Sequence, residues 1–96
     1  DLLLGGEGDD LLVGGRGDDT LNGGMGVDTA SYANTSFRIS ADLATGNVEV
    51  SVGMLTEVDT LIDIENVTGS DGDDEIWGNG QDNVLRGNSG SDVLVG

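Results

Sequence analysis

A nine-residue period with aspartate at its sixth position dominates the start of the chain. Contiguous units at residues 5–13, 14–22 and 23–31 all fit the pattern Gly-Gly-x-Gly-x-Asp-x-U-x, in which U is apolar. Glycine reaches positive φ without the roughly 1–2 kcal/mol of strain that other residues carry there, so the glycine-rich half of each unit predicts a tight turn. The rest of each unit is long enough only for a short strand. The chain must therefore alternate turns and short strands at a fixed interval.

The apolar eighth position of each unit predicts the one side chain per strand that points inward. In the first part of the chain this inner row consists of Leu3, Leu12, Leu21 and Ala30. Because a strand of about three residues covers only ~10 Å, one unit makes half a circuit and two consecutive units make a full one. Turns two units apart should therefore stack about 4.8 Å apart. This stacking would place Asp1 next to Asp19 and Asp10 next to Asp28.

Carboxylates stacked at this spacing would repel one another unless a cation lay between them. Carboxylates and turn carbonyls can together supply the roughly six to eight oxygen ligands that calcium prefers. The sequence contains no His and no Cys, so the usual ligands of softer metals are missing. The first array therefore predicts calcium in its turns, with ligands from Asp1, Gly6, Gly8, Asp10, Gly15, Gly17, Asp19, Gly24, Gly26 and Asp28.

Acids at the fifth position of some units form adjacent pairs with the sixth-position aspartates. They are Asp9, Asp18 and Asp73, and we expect them to face solvent. Such pairs could suggest acid–base catalysis, but a carboxylate bound to a cation stays ionised and is a poor proton donor. We therefore predict no enzymatic activity for this chain. Tyr32 and Trp77 are interpreted as packing residues rather than as a sugar-binding platform.

The period returns in residues 69–96, where the inner row continues with Ile76, Leu85 and Leu94. The sixth position keeps aspartate at Asp74 and Asp92 but carries Asn83 in the middle unit, which also has Gln81 in place of the fourth-position glycine. One edge thus retains an aspartate pair. The other edge would pair Asn83 with Glu65, and either holds calcium weakly or is bridged by side-chain hydrogen bonds. The predicted ligands of this array are Gly72, Asp74, Asn83, Gly90 and Asp92.

Residues 32–68 lose the glycine period and alternate apolar with polar residues in 39–43 and 48–52, which predicts two strands. Residues 44–47 between them predict either a hairpin turn or a wider coil. Downstream, Asp59-Thr60-Leu61 and Ile64-Glu65-Asn66-Val67 look like decayed units. We therefore expect one continuous domain, a fragment of a longer protein, with a first array in 1–31, an interposed segment in 32–68 and a second array in 69–96.

Composition limits the possible partners. With 19 acidic and 3 basic residues among 96, the formal net charge is -16, which opposes compaction until cations bind and disfavours nucleic acid as a partner. No apolar stretch is long enough to span a membrane. The absence of cysteine is consistent with a secreted protein that folds on metal rather than through disulfides.

These units, together with the segments 28–32, 42–46 and 64–70, resemble the RTX (hemolysin-type) calcium-binding region of secreted bacterial proteins. The resemblance implies an all-β, right-handed parallel β-roll, a solenoid similar to a β-helix, with calcium in its turns and an interposed strand-rich segment. It also implies type I secretion, and folding on calcium outside the cell to stabilise a parent exoprotein. Serralysin-type proteases, mannuronan C5-epimerases, lipases, toxins and adhesins carry such arrays, so the parent is not specified. The alternative is a module that binds an extracellular, alginate-like polysaccharide.

Overall fold

The computed structural model describes residues 1–96, whose regular secondary structure consists only of β-strands. The all-β prediction is therefore confirmed. The structure contains no helix that is long and apolar enough to cross a membrane. The strands are β1 (Leu2–Leu4), β2 (Leu11–Leu12), β3 (Thr20–Asn22), β4 (Thr29–Ser31), β5 (Ile39–Asp42), β6 (Asn47–Val52), β7 (Leu55–Ile62), β8 (Asn66–Thr68), β9 (Glu75–Trp77), β10 (Leu85–Arg86) and β11 (Val93–Val95).

The strands form two sheets, and successive strands of each array alternate between them. A four-stranded sheet has the order β10-β8-β4-β2, and all of its pairs are parallel. A seven-stranded sheet has the order β1-β3-β7-β6-β5-β9-β11. Within the arrays, each residue pairs with the residue 18 positions later, as Leu3 does with Leu21 and Leu12 with Ala30. The predicted pairing of strands two units apart is thus confirmed.

The middle of the larger sheet is antiparallel. Strand β6 pairs antiparallel with both β5 and β7, so the hairpin at residues 44–47 is confirmed and the wider coil is not formed. The sequence analysis missed the first half of β7, which follows a two-residue loop that begins with Gly53 at a φ of 61°. A loop of this length returns the chain antiparallel, whereas a parallel neighbour requires a longer crossover. The larger sheet is therefore mixed, and a purely parallel arrangement does not describe it.

A single core of 13 buried apolar residues lies between the sheets. The inner row contributes Leu12, Leu21, Ala30 and Ile76, all buried as predicted. Leu3 and Leu85 are only partly buried against this core, and Leu94 is 43% exposed because its strand lies at the edge of the larger sheet. Residues 32–38 connect β4 to β5 across the two sheets, and Tyr32 and Phe37 of this connection pack on the same core.

Because the turns stack closely, Gly24 should tolerate substitution less well than Gly15. Gly15 and Gly24 occupy the same position of successive units, with φ of 78° and 81°. A Cβ at Gly24 would lie 2.5 Å from the carbonyl oxygen of Gly6, whereas a Cβ at Gly15 would meet nothing within 4 Å. We expect Gly15→Ala to cost about 1–2 kcal/mol of unfolding free energy from backbone strain alone. Gly24→Ala should cost a further ~1–3 kcal/mol from overpacking, measured by urea unfolding at saturating calcium. Equal losses would contradict the stacking.

Candidate metal centre

Two turns of the first array lie one on the other. The turn of residues 23–28 stacks on that of residues 5–10, with the carbonyl oxygens of Gly6 and Gly8 in the space that a Cβ would occupy at Gly24 and Gly26. Glycines at the second and fourth positions of both turns have positive φ, between 81° and 103°. These conformations, which side chains other than glycine rarely adopt, let main-chain oxygens approach the neighbouring turn.

The sixth-position side chains form hydrogen bonds between stacked turns. The Oδ1 atom of one aspartate accepts the amide of the residue 18 positions earlier, and this pattern brings together the pairs predicted from the sequence. The pairs are the Asp1 terminal amine with Asp19 Oδ1 at 2.7 Å, Asp10 N–H with Asp28 Oδ1 at 2.8 Å and Asp74 N–H with Asp92 Oδ1 at 2.9 Å.

Two further acids continue this pattern beyond the first array. Asp59 Oδ1 accepts the amide of Asp19 at 2.8 Å, and Glu65 Oε1 accepts the amide of Asp28 at 2.8 Å. Sequence analysis placed both residues in decayed units and paired Glu65 with Asn83, but it did not assign Asp59 to such a position. The signal for Asp59 was present, because Asp59-Thr60-Leu61 repeats Asp19-Thr20-Leu21.

Three carboxylate oxygens of the first array are buried and have no hydrogen-bond partner. They are the Oδ2 atoms of Asp10, Asp19 and Asp28. A buried ionised oxygen without a partner is costly, so each of these atoms calls for a cation or a donor. No three acidic side chains converge on a single point, which means that carboxylates alone do not complete a site. Stacked carboxylates combined with main-chain carbonyls fit the all-oxygen coordination of calcium.

Burial raises the pKa of two sixth-position aspartates, Asp10 in the first array and Asp74 in the second. Desolvation, followed by the nearby Asp28 carboxylate, raises the pKa of Asp10. Desolvation also raises the pKa of Asp74, although the Ile39 amide and Ser70 oppose the shift. The protein environment therefore disfavours these negative charges unless they receive a partner of opposite sign or a donor.

A model of the RTX calcium-binding nonapeptide repeat, four copies long, matches residues 1–30 and 59–96. The chain belongs to this family. The second matched stretch starts at Asp59, so the decayed units are part of it. A comparison with curated proteins gives no significant match. RTX repeats are calcium-binding structural units, which supports calcium as the ion for the orphaned carboxylate oxygens.

The fifth-position acids of the RTX units have a role that the sequence analysis did not predict. All three are exposed, as predicted, and each also accepts a main-chain amide, from the stacked turn for Asp9 and Asp73 and from strand β7 for Asp18. The bonds are Val27 N–H to Asp9 Oδ1 at 2.9 Å, Val58 N–H to Asp18 Oδ1 at 2.9 Å and Ser91 N–H to Asp73 Oδ1 at 2.8 Å.

The second RTX array differs from the first in how its sixth-position side chains are satisfied. Both oxygens of the Asp74 carboxylate accept hydrogen bonds, from Ser70 and from the amide of Ile39. Asn83 donates to the Glu65 carbonyl at 2.7 Å, so of the two arrangements that the sequence left open for this edge, hydrogen bonds are observed. Asp92 is half-buried and lies over Gly87 of its own turn.

A buried tyrosine completes the surroundings of Asp59. The Tyr32 hydroxyl donates to Asp59 Oδ2 at 2.8 Å, and both residues are buried. Burial, and then the Asp59 carboxylate, raise the pKa of Tyr32 well above its ordinary value, so the hydroxyl keeps its proton and remains a donor. Desolvation raises the pKa of Asp59, and the Asp19 amide and the Tyr32 hydroxyl partly offset that rise. The packing role predicted for Tyr32 is confirmed, and the hydrogen bond is an addition to it.

Proposed function

We propose that this chain is a non-catalytic module that folds when its RTX turns bind calcium outside the cell, and that it thereby stabilises a secreted bacterial protein. The observation that carries the proposal is the set of three buried Oδ2 atoms without partners, all in the array with the complete glycine motif. The net charge of -16 supports it as well, because a chain with this repulsion and a small core gains compactness from bound cations.

The stacked turns 5–10 and 23–28 are the best candidate for a complete calcium site. Asp10 and Asp28 would supply carboxylates, and the carbonyls of Gly6, Gly8, Gly24 and Gly26 would supply main-chain oxygens. The turn of residues 14–19 would contribute Asp19, Gly15 and Gly17 to a second site beside Asp1. When bound, calcium supplies the positive charge that these buried oxygens lack.

We further propose that the parallel ladders on either side of the antiparallel insertion are parts of one right-handed β-roll. The pairing of residues 18 positions apart in both sheets supports this, since one circuit then takes two repeat units. Such a roll has one inward apolar side chain per strand, and its stability would depend on its turns as much as on its core.

The calcium concentration at which the chain folds follows from the linkage between calcium binding and folding. A ligand at 100 times its dissociation constant stabilises the folded state by ~2.7 kcal/mol per site, and extracellular calcium modules bind at about 10⁻⁴–10⁻³ M. The chain would stay unfolded where calcium is scarce, compatible with type I secretion, and fold where it is abundant. The polysaccharide-binding alternative has no comparable support. Two of the three arginines that could contact a polyanion, Arg16 and Arg38, already pair with Glu57 and Glu75.

Calorimetry with calcium and with magnesium tests the binding proposal. We expect calcium to bind with a midpoint of roughly 10⁻⁴–10⁻³ M, and magnesium to bind far more weakly at equal ionic strength. Magnesium requires near-octahedral geometry and gives up its water reluctantly, whereas stacked turns offer carbonyls and carboxylates at fixed positions. Equal binding of the two ions would mean that the charged chain merely attracts counter-ions, and would contradict a built calcium site.

A further inference from the structure

Six of the side chains at the sixth position fall into two groups that differ in which partners their oxygen atoms have. In the first group, Asp10, Asp19 and Asp28, one carboxylate oxygen is buried without a partner. In the second group, Asp59, Asp74 and Asn83, donors of the chain itself occupy the corresponding atoms. The family match covers members of both groups, so the sequence motif alone does not separate them.

Ser70 is the donor at Asp74. It occupies the second position of its unit, where the first three units have glycine, and it is fully buried. Its amide donates to Asp74 Oδ2 at 2.8 Å and its hydroxyl donates to Asp74 Oδ1 at 2.8 Å. With the Ile39 amide at 2.9 Å from Oδ1, the carboxylate has three donors and no free buried oxygen.

Asn79 is the corresponding donor in the next turn. It too replaces the second-position glycine, and its amide donates to Asn83 Oδ1 at 3.0 Å. The Asn83 amide group then donates to the Glu65 carbonyl and to Asn79 Oδ1 at 3.1 Å. The neutral Asn83 side chain thus joins two stacked turns through its own N–H donors. Two carboxylates in the same place would need a cation between them.

The backbone of the turns at residues 69–74 and 78–83 also differs from that of the first array. At the second and fourth positions of the first three turns, φ lies between 78° and 103°. None of residues 70, 72, 79 and 81 has a positive φ. The carbonyl of Gly72 nevertheless lies against Gly90 of the stacked turn, as that of Gly8 lies against Gly26, so the backbone difference is one of φ and the two arrays differ mainly in their donors. The turn of residues 87–92 keeps positive φ at Asn88 and Gly90, but it stacks on the altered turn 69–74.

We infer that Ser70, Asn79 and Tyr32 take the place of calcium at Asp74, Asn83 and Asp59, so that calcium binding is confined to the turns of residues 5–28. The inference rests on the proposed calcium sites of the first array, and it excludes calcium sites elsewhere in the chain. A hydroxyl or amide donor fixed in the fold satisfies a buried oxygen at any calcium concentration, whereas the first array depends on the ion. In the turns of residues 69–74 and 78–83, the second-position residue then decides whether calcium binds, and at Asp59 the Tyr32 hydroxyl does.

Counting bound calcium by native mass spectrometry and equilibrium dialysis tests this assignment on three variants of the full chain. Asp28→Asn should bind at least one ion fewer than the parent, and Asp74→Asn should bind the same number, even if it unfolds at lower urea concentration. Ser70→Gly removes the hydroxyl donor and allows residue 70 the positive φ of Gly6, Gly15 and Gly24, whose amides leave the Oδ2 atoms of their turns without a partner. It should therefore bind one ion more.

The outcomes separate this inference from the proposed function. Loss of an ion in Asp74→Asn, or an unchanged count in Ser70→Gly, would overturn the inference while leaving calcium binding in place. If Asp74→Asn does not fold, the count for Ser70→Gly still decides. A parent chain that binds no calcium would overturn the proposed function itself.

Discussion

Asp28→Asn is expected to raise the calcium concentration needed for half-maximal folding by about tenfold or more, the scale on which metal affinity responds to changes around a ligand. Asp28 is 0% exposed, its Oδ1 accepts the Asp10 amide, and its Oδ2 has no partner. Asparagine keeps an oxygen for the Asp10 amide but removes the negative charge that a hard cation requires. The shape of the turn is thus preserved and the proposed ligand is lost. Circular dichroism during a calcium titration measures the midpoint.

Asp9→Asn is the matched control for this variant. Asp9 belongs to the same pair of turns, is exposed, and uses Oδ1 to accept the amide of Val27, a bond that asparagine can also make. Both substitutions remove one negative charge, so they reduce the overall repulsion equally. We expect Asp9→Asn to move the midpoint by less than about twofold, as for an exposed charge. Equal shifts in the two variants would mean that bulk repulsion, rather than ligation in the turns, governs folding.

Most of the local structure could be predicted from the nine-residue repeat. A nine-residue period with one inward apolar residue fixes a circuit of two units, and the 18-residue pairing of Leu3 with Leu21 follows from it. The same period places Asp10 beside Asp28, so the principal candidate site could be predicted without coordinates. The glycines at positive φ were predictable for the same reason, because nothing else in the unit tolerates that conformation.

Features that depend on distant residues could not be predicted in the same way. Asp59 lies 40 residues from the Asp19 amide that it accepts, and the Tyr32 hydroxyl reaches it from another connection. The repeat of Asp19-Thr20-Leu21 at residues 59–61 indicates the first contact, but no local pattern encodes the second, because the antiparallel insertion of β6 determines which segments become neighbours. The role of Ser70 likewise could not be predicted, because only its position beside Asp74 shows that it fills the carboxylate's hydrogen-bonding capacity.

Removal of calcium with EGTA is expected to produce the largest change of all, the loss of the compact fold. The core comprises 13 buried apolar residues in a chain of net charge -16, and the first array leaves three buried carboxylate oxygens without partners. Without a cation, the cost of these buried charges adds to the repulsion and opposes folding. We therefore expect β-structure to disappear on chelation and to return when calcium is added back.

Small-angle scattering of the chain with and without calcium tests the coupling of binding to folding most directly. The folded chain has a Cα radius of gyration of 11.9 Å. An unfolded chain of this length has a radius of roughly 31 Å. We expect a radius close to the folded value in millimolar calcium and a rise toward the unfolded value in EGTA, reversed by excess calcium and not by magnesium. A radius that stays at the folded value after chelation would show that the chain folds without calcium, and would contradict the proposal that calcium switches its folding.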